Sequence, residues 1–554
     1  MALKTTLEHF YHWEKTTPDK VYLKQPYGDT FADFTWQEVG NQARRMAAYL
    51  KESLPPKSHV GIASKNCAHW IINDLAIMMA GHVSVPFYAT LTAEQLNQVL
   101  VHSECKVLFV GKLDKGINFY AGIPDDVKVI AYDAEYENSP VNQYETWSQI
   151  IAKHEPLHEV HIPKMDELMT IIYTSGTTGM PKGVMINYLA NAESLEVAFK
   201  FIGVGPGQDA RFMSYLPLCH IAERSFVETG SLSGNGTIYF SESLDTFAKN
   251  MQAARPTHFL AVPRIWTRFQ MGVLAKMPQK KMNMMLSIPF LSGVVKTKIR
   301  KGLGLNDATI ILTGAAPMSE ETIIWFRRLG IKINQAYGMS ENMGGHTNSL
   351  VGGHKPGTVG KPYPGAFTRI APDTGEIQVK SSWNTIGYFK EPEQTKALYT
   401  EDGWLKTGDM GELTPDGYLK ITGRVKDMFK TTKGEYVVPG PIEFGFARNS
   451  FIEQICVTGS ILPQPIALVV LSEVGKNADK QEVINSLRND VASTNPKFQS
   501  HEHLKKVVIV KDPWTIDNDM LTPTMKIKRN VVENTYKPKM ENWFDHQDEV
   551  VYEA

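Results

Sequence analysis

Cysteine is scarce in this sequence, which has only four cysteines among 554 residues. They lie far apart along the chain, at Cys67, Cys105, Cys219 and Cys456. This spacing excludes the close cysteine pairs of a zinc site and gives no indication of a disulfide framework. Because reduced, scattered cysteines are typical of the cytosol, we expect a cytoplasmic protein.

Long apolar runs and a strong net charge are missing as well. No apolar run approaches the roughly 20 residues that span a bilayer. The opening residues, MALKTTLEHFYHWEK, lack the basic start and apolar core of a signal peptide. The formal net charge is −1 at pH 7, so whole-chain electrostatics favour neither nucleic acid nor an anionic membrane. We therefore expect no nucleic-acid partner.

The order of short apolar segments indicates the fold class. A chain of this length is too long for one ordinary core, so at least two domains are expected. The first half alternates strand-like with helix-like stretches, including a capping-box pattern formed by Thr92 and Gln95. This rhythm predicts parallel α/β sheets. Dense glycine and proline indicate a small β-rich subdomain over about residues 356–425, and the rest is long enough for a separate α+β domain.

A stretch rich in glycine and hydroxyl residues, YTSGTTGMPKGV, occupies residues 173–184, after the apolar run LMTIIYT. Such a loop can surround phosphates with backbone N–H groups, and its lysine supplies a fixed cation. The stretch is not a Walker loop, because Pro181 stands where the second glycine is needed and Gly183 follows Lys182. The sequence also lacks a G-x-S-x-G nucleophile motif. We therefore predict a polyphosphate site without a serine nucleophile.

This stretch closely resembles the phosphate loop of the adenylate-forming superfamily, which comprises acyl- and aryl-CoA synthetases, firefly-type luciferases and nonribosomal peptide adenylation domains. Further motifs of that superfamily have counterparts in the expected order: YGMSE (337–341), DGWLKTGD (402–409), GRVKDMFKTTKGEYVVP (423–439) and LTPTMKIKR (521–529). The resemblance covers nearly the whole chain. It implies an α/β adenylation domain over residues 1–425, built from two parallel-rich α/β subdomains and the small β subdomain. A smaller, mobile α+β domain over residues 426–554 would be hinged to it.

The resemblance implies ATP and coenzyme A as substrates, with Mg²⁺ held by Thr174 and Glu341, whose oxygen ligands suit a hard cation. Glu341, Lys182 and Lys526 would be the catalytic residues. The other predicted nucleotide contacts would hold the ribose, cradle the phosphates or line the adenine. They are Asp409, Arg424, Ser175, Gly176, Thr177, Thr178, Gly179, Gly183, Gly314, Ala315, Ala316, Pro317, Gln335, Ala336, Tyr337, Gly338, Met339 and Ser340.

The C-terminal part carries further implied roles. Lys526 best matches the superfamily lysine that contacts the carboxylate and the α-phosphate. Lys528 is the alternative, because this segment lacks the glycine that usually precedes that lysine. Lys426 falls at the hinge about which the C-terminal domain rotates between adenylation and thiol transfer. Lys433 and Gly434 would contact CoA.

Two stretches point to a fatty acid as the carboxylate substrate. YLPLCHIAER (215–224) and ARPTHFLAVPRIW (254–266) resemble stretches of long-chain fatty acyl-CoA synthetases. His220 and Trp266 would lie along the acyl tunnel, although ordinary core packing is the alternative for Trp266. The resemblance therefore implies a long-chain fatty acid–CoA ligase. A fatty acyl-AMP ligase, an aryl or medium-chain acyl-CoA ligase and a non-catalytic binding protein are the other hypotheses. The sequence leaves the oligomeric state open.

A basic stretch between Gly272 and Asn306 has no aspartate or glutamate. Its seven basic residues are Lys276, Lys280, Lys281, Lys296, Lys298, Arg300 and Lys301. Apolar residues alternate with them, so the stretch could rest on a membrane surface as a peripheral contact. A solvated helix face is the alternative, which we favour from the sequence alone.

Overall fold

The chain folds as two units, and the computed structural model describes residues 3–174, 181–203, 209–516, 518–522 and 526–553. The first unit comprises Met1–Phe367 and Lys380–Leu405. The second comprises Thr368–Val379 and Lys406–Ala554. The predicted domain boundary between residues 425 and 426 concerns the movement of one part against the rest, and it stays a prediction.

Two mixed, largely parallel sheets form the framework of the first unit. The larger sheet has the strand order β15 (Lys361–Pro362), β14 (Thr347–Asn348), β13 (Asn334–Tyr337), β12 (Ile310–Thr313), β11 (His258–Ala261), β9 (Arg211–Ser214), β10 (Thr237–Phe240), β1 (Val21–Tyr27), β2 (Thr30–Thr35). The smaller sheet has the order β18 (Gly387–Tyr388), β8 (Lys182–Asn187), β7 (Leu168–Thr174), β4 (Val83–Phe87), β3 (His59–Ala63), β5 (Val107–Val110), β6 (Lys128–Ala131). The predicted parallel α/β class is confirmed.

Helices connect these strands. They are α1 (Thr6–Thr16), α2 (Trp36–Ser53), α3 (Ala68–Met79), α4 (Ala93–Ser103), α5 (Trp147–Ile151), α6 (Tyr188–Ile202), α7 (Ile221–Glu223), α8 (Gly230–Gly234), α9 (Phe247–Ala254), α10 (Pro263–Lys276), α11 (Gln279–Ser287), α12 (Pro289–Gly302), α13 (Glu320–Arg328), α14 (Pro392–Leu398), with a π-helical turn at Arg224–Thr229 and 3₁₀ turns at Tyr120–Gly122 and Ser340–Asn342. Thr92 caps α4 in a capping box with Gln95, as predicted. Across the described ranges, no helix is long and apolar enough to cross a membrane.

The second unit has an α+β fold, which confirms the predicted class of the C-terminal part. Its first sheet has the order β16 (Phe367–Ile370), β17 (Glu376–Lys380), β19 (Leu405–Leu413), β20 (Leu419–Arg424). A short hairpin of β21 (Phe429–Lys430) and β22 (Tyr436–Val437) follows, and then a sheet in the order β23 (Ile452–Thr458), β24 (Ile466–Leu471), β25 (Lys506–Ile509), β26 (Val550–Tyr552). The helices are α15 (Pro439–Phe444), α16 (Glu473–Asn477), α17 (Lys480–Thr494) and α18 (Arg529–Phe544), with 3₁₀ turns at Asn495–Lys497 and Ser500–Glu502.

All four cysteines are buried and reduced. Burial raises the pKa of the Cys67 thiol to about 11 and that of Cys105 and Cys456 to about 12. Burial also raises the pKa of Cys219 well above its ordinary value. All four therefore stay thiols, not thiolates, at neutral pH.

A charged cluster lies inside the first unit. The Arg224 guanidinium donates to both carboxylate oxygens of Asp74 at 2.6 Å and to the Thr170 hydroxyl at 2.8 Å. Its Nε lies 3.4 Å from a Glu228 oxygen, and the side chains of Arg224, Asp74 and Glu228 are each at most 3% exposed. Burial, followed by the charge of Asp74, raises the pKa of Glu228 well above its usual range. The neutral form of Glu228 is therefore favoured, and Asp74 is the carboxylate that pairs with Arg224.

We expect Asp74→Asn to lower the free energy of unfolding by about 3–5 kcal/mol, because it leaves a buried guanidinium without its carboxylate. Glu228 could ionise and take over part of this role, so adding Glu228→Gln should increase the loss. Urea denaturation followed by tryptophan fluorescence measures both effects. The matched control is Asp33→Asn, which removes the half-exposed pair with Lys24 and should cost less than about 1 kcal/mol. Similar small losses for Asp74→Asn and Asp33→Asn would contradict the prediction.

Candidate functional site

The carboxyl ends of four parallel strands bring most predicted residues of the first unit to one edge of the larger sheet. Strands β9, β11, β12 and β13 are neighbours and run in the same direction. His220 follows β9, Trp266 follows β11, Gly314–Pro317 follow β12, and Gly338–Glu341 follow β13. In open α/β sheets, ligands bind at this edge. The topology therefore supports a common site for these residues.

The two predicted adenine-lining segments contact each other. A Cβ atom on Gly314 would lie 2.9 Å from the Ala336 carbonyl oxygen, so only glycine allows the two chains to approach this closely. Ala315 has a φ of +64°, which marks a tight turn directly after β12. Tyr337 is buried in β13. The Gln335 amide donates to the Thr358 carbonyl at 2.8 Å, so its side chain supports the backbone of this segment.

The predicted phosphate loop joins β7 to β8, which are antiparallel. Thr174 is paired with Lys182 at the loop end of this hairpin, and Tyr173 with Gly183. Ser175, Gly176, Thr177, Thr178 and Gly179 lie outside the described residues. The described part of the hairpin thus places Thr174, a predicted Mg²⁺ ligand, opposite Lys182.

Tyr388 connects this hairpin to Glu341, a contact that the sequence did not predict. Its hydroxyl donates to a Glu341 carboxylate oxygen at 2.7 Å. The Lys182 ammonium lies 4.8 Å from the centre of the Tyr388 ring, within the range of a cation–π contact. Burial, followed by the charge of Glu341, raises the pKa of Tyr388 well above its ordinary value, so the hydroxyl remains a donor. Strand β18 places Tyr388 here by pairing with β8, next to Val184.

Thr174 and Glu341 offer one hydroxyl and one carboxylate, a donor set that fits Mg²⁺. This ion usually takes one or two protein ligands and completes its octahedron with substrate phosphates and water. Within the described residues, no group of three or more His, Cys, Asp or Glu side chains could hold a metal on its own.

Asp409 and Arg424 form a pair in the second unit. They lie opposite each other on the antiparallel strands β19 and β20, and Arg424 Nε donates to Asp409 Oδ1 at 2.9 Å. The pair fixes the orientation of the predicted ribose-binding carboxylate. Lys426 is exposed two residues after Arg424. The next residue, Asp427, accepts a hydrogen bond from Arg529 Nε at 3.1 Å, which ties this segment to α18.

The two candidate C-terminal lysines have different surroundings. Lys528 is paired with the Asp519 carboxylate, and its backbone N–H donates to Met520 at 2.9 Å. Lys526 is exposed, and its backbone N–H donates to the Thr522 hydroxyl at 3.1 Å. The ion pair restrains the Lys528 side chain, and the choice between the two lysines stays a prediction.

The predicted CoA residues occupy an exposed turn. Lys433 and Gly434 lie between β21 and β22, where Gly434 has a φ of +87° that a larger residue would adopt only with strain. The turn is closed by a hydrogen bond from Thr431 N–H to the Glu435 carbonyl at 2.9 Å.

The predicted acyl residues differ in exposure. His220 is half-buried, and its Nδ1 accepts from the Ala222 N–H at 3.2 Å at the start of α7. Trp266 is completely buried against Phe259, Phe269 and Phe326. Its place along an acyl tunnel stays a prediction, and core packing agrees with its burial.

Glu223 is a buried carboxyl group next to His220 to which the sequence assigned no role. It accepts hydrogen bonds from the Tyr215 N–H at 2.9 Å and from the Asn66 amide at 3.4 Å. Burial raises its pKa to about 8. At neutral pH Glu223 is therefore mostly protonated, so it adds little negative charge beside Tyr215 and Asn66.

Comparison with known families gives two matches. The AMP-binding enzyme family matches residues 10–389, and the AMP-binding enzyme C-terminal domain matches residues 426–548. Together they span most of the chain.

Curated relatives are similar over nearly the whole chain. The long-chain-fatty-acid–CoA ligase ACSBG2 of Xenopus laevis is 28% identical over 95% of this chain and 82% of its own length. Long chain acyl-CoA synthetase 6, peroxisomal, of Arabidopsis thaliana is 27% identical over 98% and 86%. Long-chain-fatty-acid–CoA ligase 5 of Mus musculus is 29% identical over 93% and 84%.

Solved structures have the same fold. The A domain of a carboxylic acid reductase from Segniliparus rugosus, in complex with AMP and a co-purified carboxylic acid, has a TM-score of 0.77 at 22% identity, covering 97% of this chain and 94% of its own. The O-succinylbenzoate coenzyme A synthetase of Bacillus subtilis, in complex with AMP, has a TM-score of 0.74 at 21% identity, covering 96% and 98%. These similarities establish the fold of the chain.

Proposed function

This chain belongs to the AMP-binding enzyme family, and on that basis we propose that it is an ATP-dependent long-chain fatty acid–CoA ligase. The observation that carries the proposal is its similarity, over more than nine-tenths of its length, to relatives named as long-chain ligases or synthetases. The residues after β9 and β11, which carry the HIAER and VPRIW stretches, support the same substrate class.

The first half-reaction joins the fatty acid to AMP. A carboxylate oxygen attacks the α-phosphorus of ATP, the bond to the β-phosphate oxygen breaks, and pyrophosphate leaves. Because an anion must approach a polyanion, the step needs cations and aligned donors more than a nucleophilic side chain. Lys182 and Lys526 supply positive charge to the phosphates. Mg²⁺ held by Thr174 and Glu341 would neutralise further phosphate charge when ATP is bound.

Tyr388 has a positioning role in this step. Its hydroxyl fixes one oxygen of Glu341, and its ring lies beside the Lys182 ammonium. The contact supports a site in which Glu341 and Lys182 are oriented before substrate arrives, which reduces the reorganisation needed during the reaction.

The second half-reaction transfers the acyl group to coenzyme A. The thiol loses its proton and attacks the acyl carbon, and AMP leaves with the electrons of the broken C–O bond. The exposed Lys433–Gly434 turn is suited to contact CoA. Asp409 would hold the ribose of the nucleotide, and Arg424 would reach its ribose or phosphate side. The movement about Lys426 between the two steps stays a prediction.

An acid screen tests the proposed substrate class. Pyrophosphate release with ATP and Mg²⁺ should rise with chain length and favour acids of about twelve carbons or more, because buried methylenes add affinity. Thioester should form only when CoA is added. Equal or faster turnover of acetate, benzoate or coumarate would contradict a long-chain ligase. Adenylate that accumulates without being passed to CoA would point to an acyl-AMP ligase.

We expect Tyr388→Phe to lower kcat/KM for adenylation by roughly 10- to 100-fold, because a hydrogen bond to a charged group is worth about 1.5–3 kcal/mol. The ring, and with it the Lys182 contact, is retained. Tyr399→Phe is the control, since the Tyr399 hydroxyl donates to the neutral Thr385 carbonyl, and it should lower kcat/KM less than about fivefold. Pyrophosphate-release kinetics measure both. A Tyr388→Phe value within twofold of the unchanged protein would rule out the positioning role.

Single-turnover kinetics of each half-reaction separate the two lysines. Lys526→Ala should slow adenylation by roughly 10²–10³-fold and still convert supplied acyl-adenylate and CoA to thioester. Lys528→Gly should leave both steps nearly unchanged. Lys426→Pro, which stiffens the hinge, should keep adenylation and impair thioester formation. Loss of adenylation in Lys528→Gly alone would show that the lysine assignment is wrong. If adenylation and thioester formation slow together in all three variants, the predicted rotation of the C-terminal domain between the two steps is excluded.

A further inference from the structure

Helices α11 and α12 expose an unusual combination of apolar and basic side chains. Five apolar residues within eleven positions are largely exposed: Met284 (60%), Ile288 (45%), Phe290 (85%), Leu291 (36%) and Val294 (59%). The stretch from Gly272 to Asn306 has seven basic residues and no acidic residue, and Lys280, Lys281, Lys298 and Lys301 on the same two helices are exposed. An exposed apolar patch with a polar rim marks an interaction site.

Helices α11 and α12 pack on the rest of the first unit through their inner faces, the start of α11 and the end of α12. Met282 and Val295 are buried, and Leu286 and Ile299 pack against the apolar cluster that contains Trp266. At the start of α11, Gln279 accepts a hydrogen bond from the Trp325 indole at 2.9 Å. Near the end of α12, Arg300 lies beside Gly330, just after α13. The exposed residues are therefore a separate outer surface, concentrated where α11 meets α12.

The spacing of apolar and basic residues fits a bilayer surface. Phe290 is the second residue of α12, and Lys298 and Lys301 lie towards the end of that helix. At 1.5 Å per residue, the two lysines are about 12–16 Å from Phe290 along the helix axis. Interfacial helices bury their apolar face about 5–10 Å into the boundary between headgroups and acyl chains. With α12 tilted so that its start, with Phe290, enters this boundary, Lys298 and Lys301 lie nearer the phosphate layer. A shallow depression lined by Val294, Thr297, Lys298 and Lys301 runs along this part of α12.

Charge decides which partner suits this surface. A second copy of the chain would bring the same exposed lysines against each other without a single carboxylate from this stretch, which costs energy. Nucleic acid would leave the exposed phenylalanine, isoleucine and valine without an apolar environment. A membrane that contains anionic phospholipids satisfies both sets of side chains.

We propose that the α11–α12 surface docks onto an anionic phospholipid bilayer, with Phe290 and its apolar neighbours inserted and the basic residues on the lipid phosphates. This replaces the solvated-face interpretation that the sequence alone favoured. A consequence that rests on the proposed function is that the acid substrate, which dissolves in membranes, is collected beside the Trp266 cluster.

Vesicle flotation tests the proposal with two bilayers, phosphatidylcholine alone and phosphatidylcholine with about one-third phosphatidylglycerol, a composition chosen to carry anionic charge. The protein should partition at least tenfold more strongly onto the anionic vesicles, and high salt should weaken this binding. Phe290→Ser with Val294→Ser, and separately Lys298→Glu with Lys301→Glu, should each lower the partition coefficient at least tenfold. Matched controls elsewhere on the surface, Leu244→Ser and Lys115→Glu with Lys396→Glu, should stay within twofold.

Several outcomes would overturn the inference. These are a wild-type chain that does not bind anionic vesicles, equal binding to both vesicle types, and surface variants that bind like the controls. Self-association without vesicles that Phe290→Ser abolishes would assign the surface to a second copy of the chain.

Pyrophosphate release with a water-dissolved acid, measured without vesicles, should be the same in all variants. Vesicle binding in a chain without that activity would reject the ligase function and leave the docking surface intact.

Discussion

The architecture of the first unit depends on the contacts of the buried Arg224 guanidinium. It joins α3 through Asp74, β7 through Thr170 and its own π-helical turn through Glu228. Strand β7 runs directly into Thr174, and the turn follows His220 within four residues. One buried cation thus relates the phosphate side of the site to the acyl side. A buried ion pair contributes little net stability, but the loss of one partner is costly, so this arrangement leaves few alternatives for packing these elements.

Local patterns in the sequence predicted the parts of the fold that local physics determines. Thr92 and Gln95 form the expected capping box, and the strand–helix rhythm gave parallel sheets whose carboxyl ends collect His220 and Glu341 at one edge. Contacts between distant residues were not predictable in this way. Tyr388 reaches Glu341 only because β18 pairs with β8, more than 200 positions earlier in the chain. Nothing in the sequence around Tyr388 or Glu341 indicates that β18 pairs with β8, so the role of Tyr388 could not be predicted from the sequence.

Exposure was the other property that the sequence left undetermined. Trp266 and Phe290 are both aromatic residues in helical stretches, yet one is completely buried and the other is 85% exposed. The difference depends on which helix face meets the Trp266 cluster, which follows from packing of α10–α12 as a group. The same limit applies to the C-terminal lysines, because the pairing of Lys528 with Asp519 joins residues nine positions apart in the sequence.

The burial of the four cysteines has a consequence for an enzyme that makes acyl-adenylates. Such an intermediate is a strong acylating agent, and a thiolate is the natural side-chain competitor for the thiol of CoA. Cys219 directly precedes His220, one of the residues predicted to lie along the acyl tunnel. Its burial and raised pKa keep it protonated and out of reach. The four thiols of the chain are thereby kept from competing with the thiol of CoA for the activated acyl group.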